Sequence, residues 1–345
     1  LWVAEFFEKS KFKKNNFIYG NTKSKNFLTK NYRNINLKNL SSKLKSSTKE
    51  YSLKLIKEIN ENNYDIIEIH NRPLILFNLI KKIECKFIFY FHNDPLSMKG
   101  SKSISERLLI LNSVDKIIFV SEWVKKRFFT DLDEKLSAQT DVIYPSVKKQ
   151  KIIQKFKYIT FVGRLNHSKG YDIFKNAILR ILNEYPEWKA FSVGDEERRN
   201  IYINHKQHFE LGFLNHKKTL DLLSKSEISV VPSRWEEPFG RTALEASSCE
   251  CATIISNRGG LTETTNHAVI LKKNDEFNLY KEIKDLILNK KKRTHIQKLS
   301  RRNIKHTIIK NTKIIDQMRE NIFPKYNLNY LKNRLKIINL YNQGQ

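Results

Sequence analysis

The chain has 345 residues, enough for two domains of ordinary size, and 40% of them are hydrophobic, with 21 Phe and 14 Tyr, which excludes a disordered chain. No apolar run approaches the ~20 residues that cross a bilayer, and three sparse cysteines (Cys85, Cys249, Cys251) fit a reduced cytoplasmic protein and exclude a disulfide scaffold or finger-type metal site. Twelve Lys/Arg against three acids in 1–50, and seventeen against four in 281–345, put 22 of the +28 net charges at the two ends, which suits an anionic membrane surface, nucleic acid or an acidic polymer.

The chain opens on LWVAEFFEK, where Trp2, Val3, Phe6 and Phe7 share one helical face, and with no Met before it the sequence reads as starting inside its first helix. NNFIYG follows as a short strand, then a polar stretch to about Ser47. The helix TKEYSLKLIKEINENN turns Leu53, Ile56 and Ile59 inward and leads to the strand YDIIEIH. From there strand and helix alternate: LILFNLIKKI, CKFIFYFHND, SISERLLILNSV, DKIIFVS, EWVKKRFFTDL and TDVIYPS. That alternation is the signature of a parallel sheet covered on both faces. After a basic break, VKKQKIIQKFK, it restarts with YITFVG and a helix whose Ile173, Phe174, Ala177, Ile178, Ile181 and Leu182 face one way. WKAFSVG, HFELGF, KKTLDLLSKS, EISVVPS, RTALEASS, ATIISN and GLTETT complete the second run. The reading is α/β: a domain over 1–148, a second over 149–320, and a basic helical tail over 321–345, broken by Pro324, which could pack back on the first domain.

In open parallel sheets, ligands bind outside the carboxyl ends of the strands. The unusual residues of this sequence lie there. FVGRLNHSKG places Gly163 at a strand end, then Arg164, then Lys169 where a helix starts. A helix start offers N–H groups and a positive dipole end to a phosphate. Arg164 can grip an oxyanion through two parallel hydrogen bonds, and Lys169 adds a point charge. A solvated surface turn is the plain alternative. SRWEEPFGRTALEASS adds Glu237, Pro238, Gly240 and a helix start near Arg241, with Glu245 eight residues after Glu237. A carboxylate accepts hydrogen bonds from neighbouring hydroxyls, so Glu237 could hold a sugar and Glu245 a ribose, with the N–H groups of Phe239, Gly240 and Arg241 facing a diphosphate between them. Each acid alone is as well explained as a solvated or dipole-facing carboxylate; their coincidence after one buried strand is not.

EPFGRTALEA and FVGRLNHSKG, together with IIFVSEWVKKRF, VIYPS and GFLNHKKTLDLLSKSEISVVPS in that order, resemble the family 4 retaining glycosyltransferases, whose fold is GT-B. The resemblance covers nearly the whole chain. It implies two doubly wound Rossmann-like domains facing a cleft and transfer of a sugar from a nucleoside-diphosphate sugar to a hydroxyl, in cell-surface polysaccharide or lipopolysaccharide assembly. It assigns Arg164 and Lys169 to the donor diphosphate, Glu237 to the donor sugar, Gly163, Phe239, Gly240 and Arg241 to sugar and phosphate, and Glu245 to the ribose. His92, in FYFHNDP, matches the family's His near donor sugar and acceptor, although a lone strand-end His is more often structural. Phe213 and Leu214 fall where the base is seated. No cofactor and no metal are implied; the partners are the donor, a saccharide or lipid-linked saccharide acceptor and an anionic membrane surface, with a location in the cytoplasm or at the inner face of the membrane. Two departures stand out. The family's first strand and Gly-rich loop would precede Leu1 and are missing there, leaving an incomplete first sheet, and Glu250 replaces the glycine usual after the motif helix. A GT-B phosphorylase or nucleotide-sugar hydrolase would use the same donor pocket, although no lysine is singled out for pyridoxal phosphate. A basic nucleic-acid binder rests on charge alone.

Overall fold

The computed structural model describes residues 2–22, 29–37, 47–197, 200–304, 307–323 and 337–340. Two compact units divide the chain, Leu1–Tyr144 with Ile308–Gln345 and Pro145–Thr307. The first begins with α1 (Trp2–Lys9), β1 (Asn16–Gly20), β2 (Tyr32–Asn34), α2 (Ser47–Asn62), β3 (Ile66–His70), α3 (Pro73–Leu79), β4 (Lys86–Phe91), α4 (Ile104–Ser113), β5 (Lys116–Phe119), α5 (Glu122–Phe128) and β6 (Thr140–Val142). The second holds β7 (Phe156–Val162), α6 (Tyr171–Glu184), β8 (Lys189–Val193), β9 (His208–Glu210), α7 (His216–Lys225), β10 (Ser226–Val231), α8 (Arg241–Ser248), β11 (Ala252–Ile255), β12 (Val269–Ile270), α9 (Glu276–Leu288) and α10 (Lys290–Arg302). The chain then returns to the first unit with α11 (Ile308–Asn321) and β13 (Ile337–Leu340).

Both sheets are wholly parallel. Their central strands are largely apolar because helices cover both faces of such sheets: β3 and β4 bury Ile66, Ile67, Ile69, Phe89 and Phe91. The helices start where local chemistry allows. Ser103 and Glu106 form a reciprocal capping box on α4, Ser121 caps α5, and Pro73 opens α3. In α6 all six residues of the expected inward face are buried, packed with Ile159, Phe161, Trp188, Ile228, Ile254 and Leu279. Each Ile, Leu or Phe side chain among them, taken out of water, contributes roughly 1.5–3 kcal/mol. Of the apolar face expected in α1, Phe6 and Phe7 are buried; the side chains of Trp2 and Val3 lie outside the described ones. Cys249 and Cys251 are buried and unbridged, and burial pushes the Cys251 thiol up to about 12.

The seven-stranded sheet runs β2-β1-β13-β3-β4-β5-β6. In a doubly wound sheet the first strand stands between the second and the fourth. Here β13 fills that slot, pairing in parallel with β1 (Asn16↔Ile337) and with β3 (Ile337↔Ile66). The expectation of an incomplete first sheet is therefore corrected: the first-strand position is occupied from the far end of the sequence. The expected boundaries at 320 and 321 also move. The second unit ends at Thr307, and α11 belongs to the first because its buried Arg319 clamps Glu68 of β3 through two hydrogen bonds of 2.7 and 2.8 Å. Residues 337–340 of the expected helical tail are a strand, with Ile337 and Leu340 buried; residues 324–336 and 341–345 lie outside those described. GLTETT, expected as an α-helix, is a 3₁₀ turn over Gly259–Glu263.

Candidate functional site

The six-stranded sheet of the second unit runs β12-β11-β10-β7-β8-β9, so its order reverses between β7 and β10. The loops leaving those two strands are the ones that carry the expected site residues. Glycine brings them together. At Gly170 (φ 71°) a Cβ would stand 1.9 Å from the Pro232 carbonyl oxygen, an approach open only to a residue without a side chain. The Arg234 and Trp235 N–H groups both donate to the Ser168 carbonyl at 2.9 Å, and Arg234 forks onto Asp172. Asn166 caps the turn, accepting from the Lys169 N–H at 3.1 Å. Gly194, just after β8, packs so closely that a Cβ would lie 1.8 Å from the Gly163 carbonyl oxygen. Gly163 itself would meet nothing nearer than 3.7 Å.

On this frame Lys169 Nζ donates to Glu237 Oε1 at 2.7 Å, tying the phosphate-type turn to the motif loop. Glu237 Oε2 has no partner among the described residues. Arg164 is exposed, and its guanidinium has no hydrogen-bond or ion-pair partner among the described residues. Gly240 (φ 94°) starts α8 with no side-chain cap, leaving the helix start to backbone groups alone. Phe239 is 3% exposed, so only its backbone can serve a ligand.

One turn into α8, Glu245 is buried, and its Oε1 accepts from Arg241 Nε at 2.7 Å and from His216 Nε2 at 3.0 Å. Burial alone would raise its pKa; His216 and Arg241 outweigh that and hold the carboxyl below its usual range. The second oxygen, Oε2, has no described partner. His216 was not singled out in the sequence: it opens α7, whose start is capped by Asn215, and only the fold carries it to Glu245. Phe213 is 81% exposed, a bare ring on the loop before α7, and Leu214 beside it is half-buried. His92 belongs to the first unit, just after β4, where its Nε2 lies 2.8 Å from His70 Nδ1. The second unit thus gathers Arg164, Lys169, Glu237, Gly240, Arg241 and Glu245 around two adjoining loops. Among the described residues no three His, Cys, Asp or Glu side chains converge as metal ligands, and no helix is long and apolar enough to cross a membrane.

Two wholly parallel α/β units of this kind define the GT-B class, and solved structures agree. A glycosyltransferase from Rickettsia africae superposes with a TM-score of 0.72 at 18% identity, covering 93% of this chain and 95% of that one. Anabaena Alr3699/HepE, solved in complex with UDP, gives 0.67 at 17% identity over 79% and 82%. Residues 22–151 match the family model described as Glycosyltransferase Family 4, and residues 145–303 that of Glycosyl transferases group 1. The chain belongs to this family, the group 1, family 4 glycosyltransferases. YtcC of Bacillus subtilis (strain 168) is 25% identical over 256 residues, 64% of this chain and 62% of that protein. Spore coat protein SA of the same organism is 25% identical over 283 residues, 71% of this chain and 74% of that protein. The chain thus spans about three fifths of YtcC's length.

Proposed function

We propose that the protein transfers a sugar, with retention, from a nucleoside-diphosphate sugar to a hydroxyl of a saccharide or lipid-linked saccharide. The observation that carries this reading is the pairing of two loops at the switch point of the second sheet, which sets Lys169 against Glu237 at 2.7 Å, on the same turn as an Arg164 whose guanidinium has no partner among the described residues. As the bond between the sugar carbon and the diphosphate breaks, negative charge grows on the leaving phosphate. Arg164, Lys169 and the uncapped start of α8 meet that charge without reorganising, and one such donor typically supplies ~3–4 kcal/mol. Glu237 Oε2 accepts from a donor-sugar hydroxyl, Glu245 Oε2 from the ribose, and the exposed Phe213 ring stacks on the base. The acceptor oxygen bonds to the sugar carbon on the face the diphosphate leaves, and a phosphate oxygen takes its proton. His92 serves the acceptor side. The basic ends hold the protein to the inner face of a membrane, where acceptors for cell-surface polysaccharide are made.

The test is thermal unfolding of the parent and of the Arg164→Ala/Lys169→Ala double variant with UDP, GDP and ADP; HepE, solved with UDP, makes UDP the first choice. A ligand at a hundred times its Kd adds ~2.7 kcal/mol, so one diphosphate should raise the parent's midpoint and leave the variant's unmoved. An equal shift in the folded variant would remove both cations from the site.

A further inference from the structure

The motif segment from Glu237 to Gly240 rests at both ends on one element, the 3₁₀ turn Gly259–Glu263 that follows β11. β10 and β11 run side by side, with Val231 opposite Ile255, so the two loops leave the sheet together. At the near end the Gly260 N–H donates to the Glu237 carbonyl at 2.7 Å. Gly259 backs onto the same peptide. A Cβ there would stand 2.3 Å from the Glu237 carbonyl oxygen, 2.8 Å from its nitrogen and 3.0 Å from the Glu236 carbonyl carbon. At the far end a Cβ on Gly240 would stand 2.3 Å from Leu261 Cδ1, and Leu261 is held there by Val231, Ala243 and Ile255, with which it is buried.

The Glu237 carboxylate is thereby set from two directions. Lys169 takes its Oε1 at 2.7 Å, and the turn fixes the peptide from which the side chain springs. Gly259 lies so close because it has no side chain and takes a left-handed φ of 57°. Ordinary contact begins at 3.4 Å, so a methyl group at 259 must push the Glu237 carbonyl away by about 1 Å. A misplacement of that size in a reacting site costs up to ~100-fold in rate. Gly212 offers the contrast. It is left-handed too, at φ 60°, but a Cβ on it would meet nothing within 4 Å.

We propose that Gly259 is a positioning residue for the donor-sugar carboxylate: its bare backbone sets the Glu237 peptide so that Oε1 meets Lys169 and Oε2 is left to the sugar. The role of Oε2 rests on the function proposed above; the hold on the Lys169–Glu237 pair does not. In that reading the nucleotide is served by Arg164 and Glu245, which lie on other segments, so a displaced Glu237 harms the sugar's contacts and spares the nucleotide's.

Nitrogen-15 spectra of the lysine ammonium groups in the ligand-free protein test the hold, with Lys169 identified by its loss in Lys169→Arg. An ammonium bound to a carboxylate exchanges its protons slowly, so the Lys169 signal should stand apart from solvated lysines, and Glu237→Gln should return it to them. Gly259→Ala should do the same, and Gly212→Ala should not. Gly259→Asn tolerates the left-handed backbone but keeps the Cβ, so it should repeat the alanine result even where alanine at 259 fails to fold. Release of nucleoside diphosphate from UDP-, GDP- or ADP-glucose tests the use. With the donor that the parent turns over, Gly259→Ala should lower kcat ~10–100-fold and leave the Kd for the free nucleoside diphosphate unchanged. The Gly259→Ala/Glu237→Gln double variant should be no slower than Glu237→Gln alone. A folded Gly259 variant with the parental Lys169 signal overturns the proposal. So does a displaced signal in Gly212→Ala, or a double variant slower than Glu237→Gln by the full factor of Gly259→Ala. A signal displaced in Gly259→Ala, beside a parent that releases nothing from the three donors, upholds the turn and overturns the donor reading of the site.

Discussion

Replacing Glu250 by glycine should stabilise the second unit. The end of α8 is a complete Schellman motif: the Cys251 N–H donates to the Ala246 carbonyl at 3.0 Å and the Glu250 N–H to that of Ser247 at 3.1 Å. That geometry needs a left-handed residue, and Glu250 takes it at φ 62°. A residue with a Cβ there costs ~1–2 kcal/mol. Glycine avoids that cost but loses ~0.5–1 kcal/mol more backbone entropy on folding. The remainder favours Glu250→Gly by ~0.5–1 kcal/mol, and no described contact of the Glu250 side chain is lost with it. In a unit of this size ~1 kcal/mol moves Tm by ~2–4 °C, so calorimetry should show a rise of ~1–4 °C. Glu250→Ala keeps the Cβ and should gain nothing. A Glu250→Gly variant no more stable than the parent, or an alanine variant that equals it, would refute the strain argument.

Two further substitutions probe the same unit. Lys155 Nζ donates to the Cys249, Ser226 and Leu223 carbonyls at 2.6, 2.9 and 3.4 Å, a cation set at the ends of α7 and α8. Lys155→Met should cost ~1–3 kcal/mol in denaturant unfolding, as these carbonyls lose their donor. Glu245 titrates below its usual range in the folded chain, so its contribution to stability is present above pH ~4.5 and lost as pH falls through the folded value. Glu245→Gln should therefore cost ~1–3 kcal/mol at neutral pH and flatten the acid limb of the stability curve; a parallel acid limb would show that the two basic partners do not set it.

The second unit was legible because its signals are local. A buried apolar strand, a glycine that must be left-handed and a helix start fall within a dozen residues, and each restricts the chain where it stands. Gly170 and Gly240 stand at the two expected helix starts, and both are left-handed. His216 was not legible, since a polar residue opening a surface helix carries no mark of the acid it will meet 29 positions later. Lys155 sat in a stretch that read as a basic connection, because periodicity does not distinguish a solvated lysine from one that meets three carbonyls. The short edge strands β2 and β12 hold three and two residues, too few to show an alternation. In the first unit, the order of strands along the chain is not their order in the sheet. KIINL has the apolar content of a strand, yet nothing near it tells which neighbours it will find.

That last strand sets a timetable for the chain. Asn16 and Asn339, hydrogen-bonded in the finished sheet, are 323 residues apart. At ~5–20 residues per second of synthesis, tens of seconds separate them, and until β13 is made the edges of β1 and β3 that it pairs with cannot have it. Unpaired strand edges invite pairing with other chains. The second unit, continuous from Pro145 to Thr307, can close while the ribosome is still at work; the first must wait for its centre. Expression that slows or stops late should therefore yield chains with a sound second unit and a first that aggregates through its open middle.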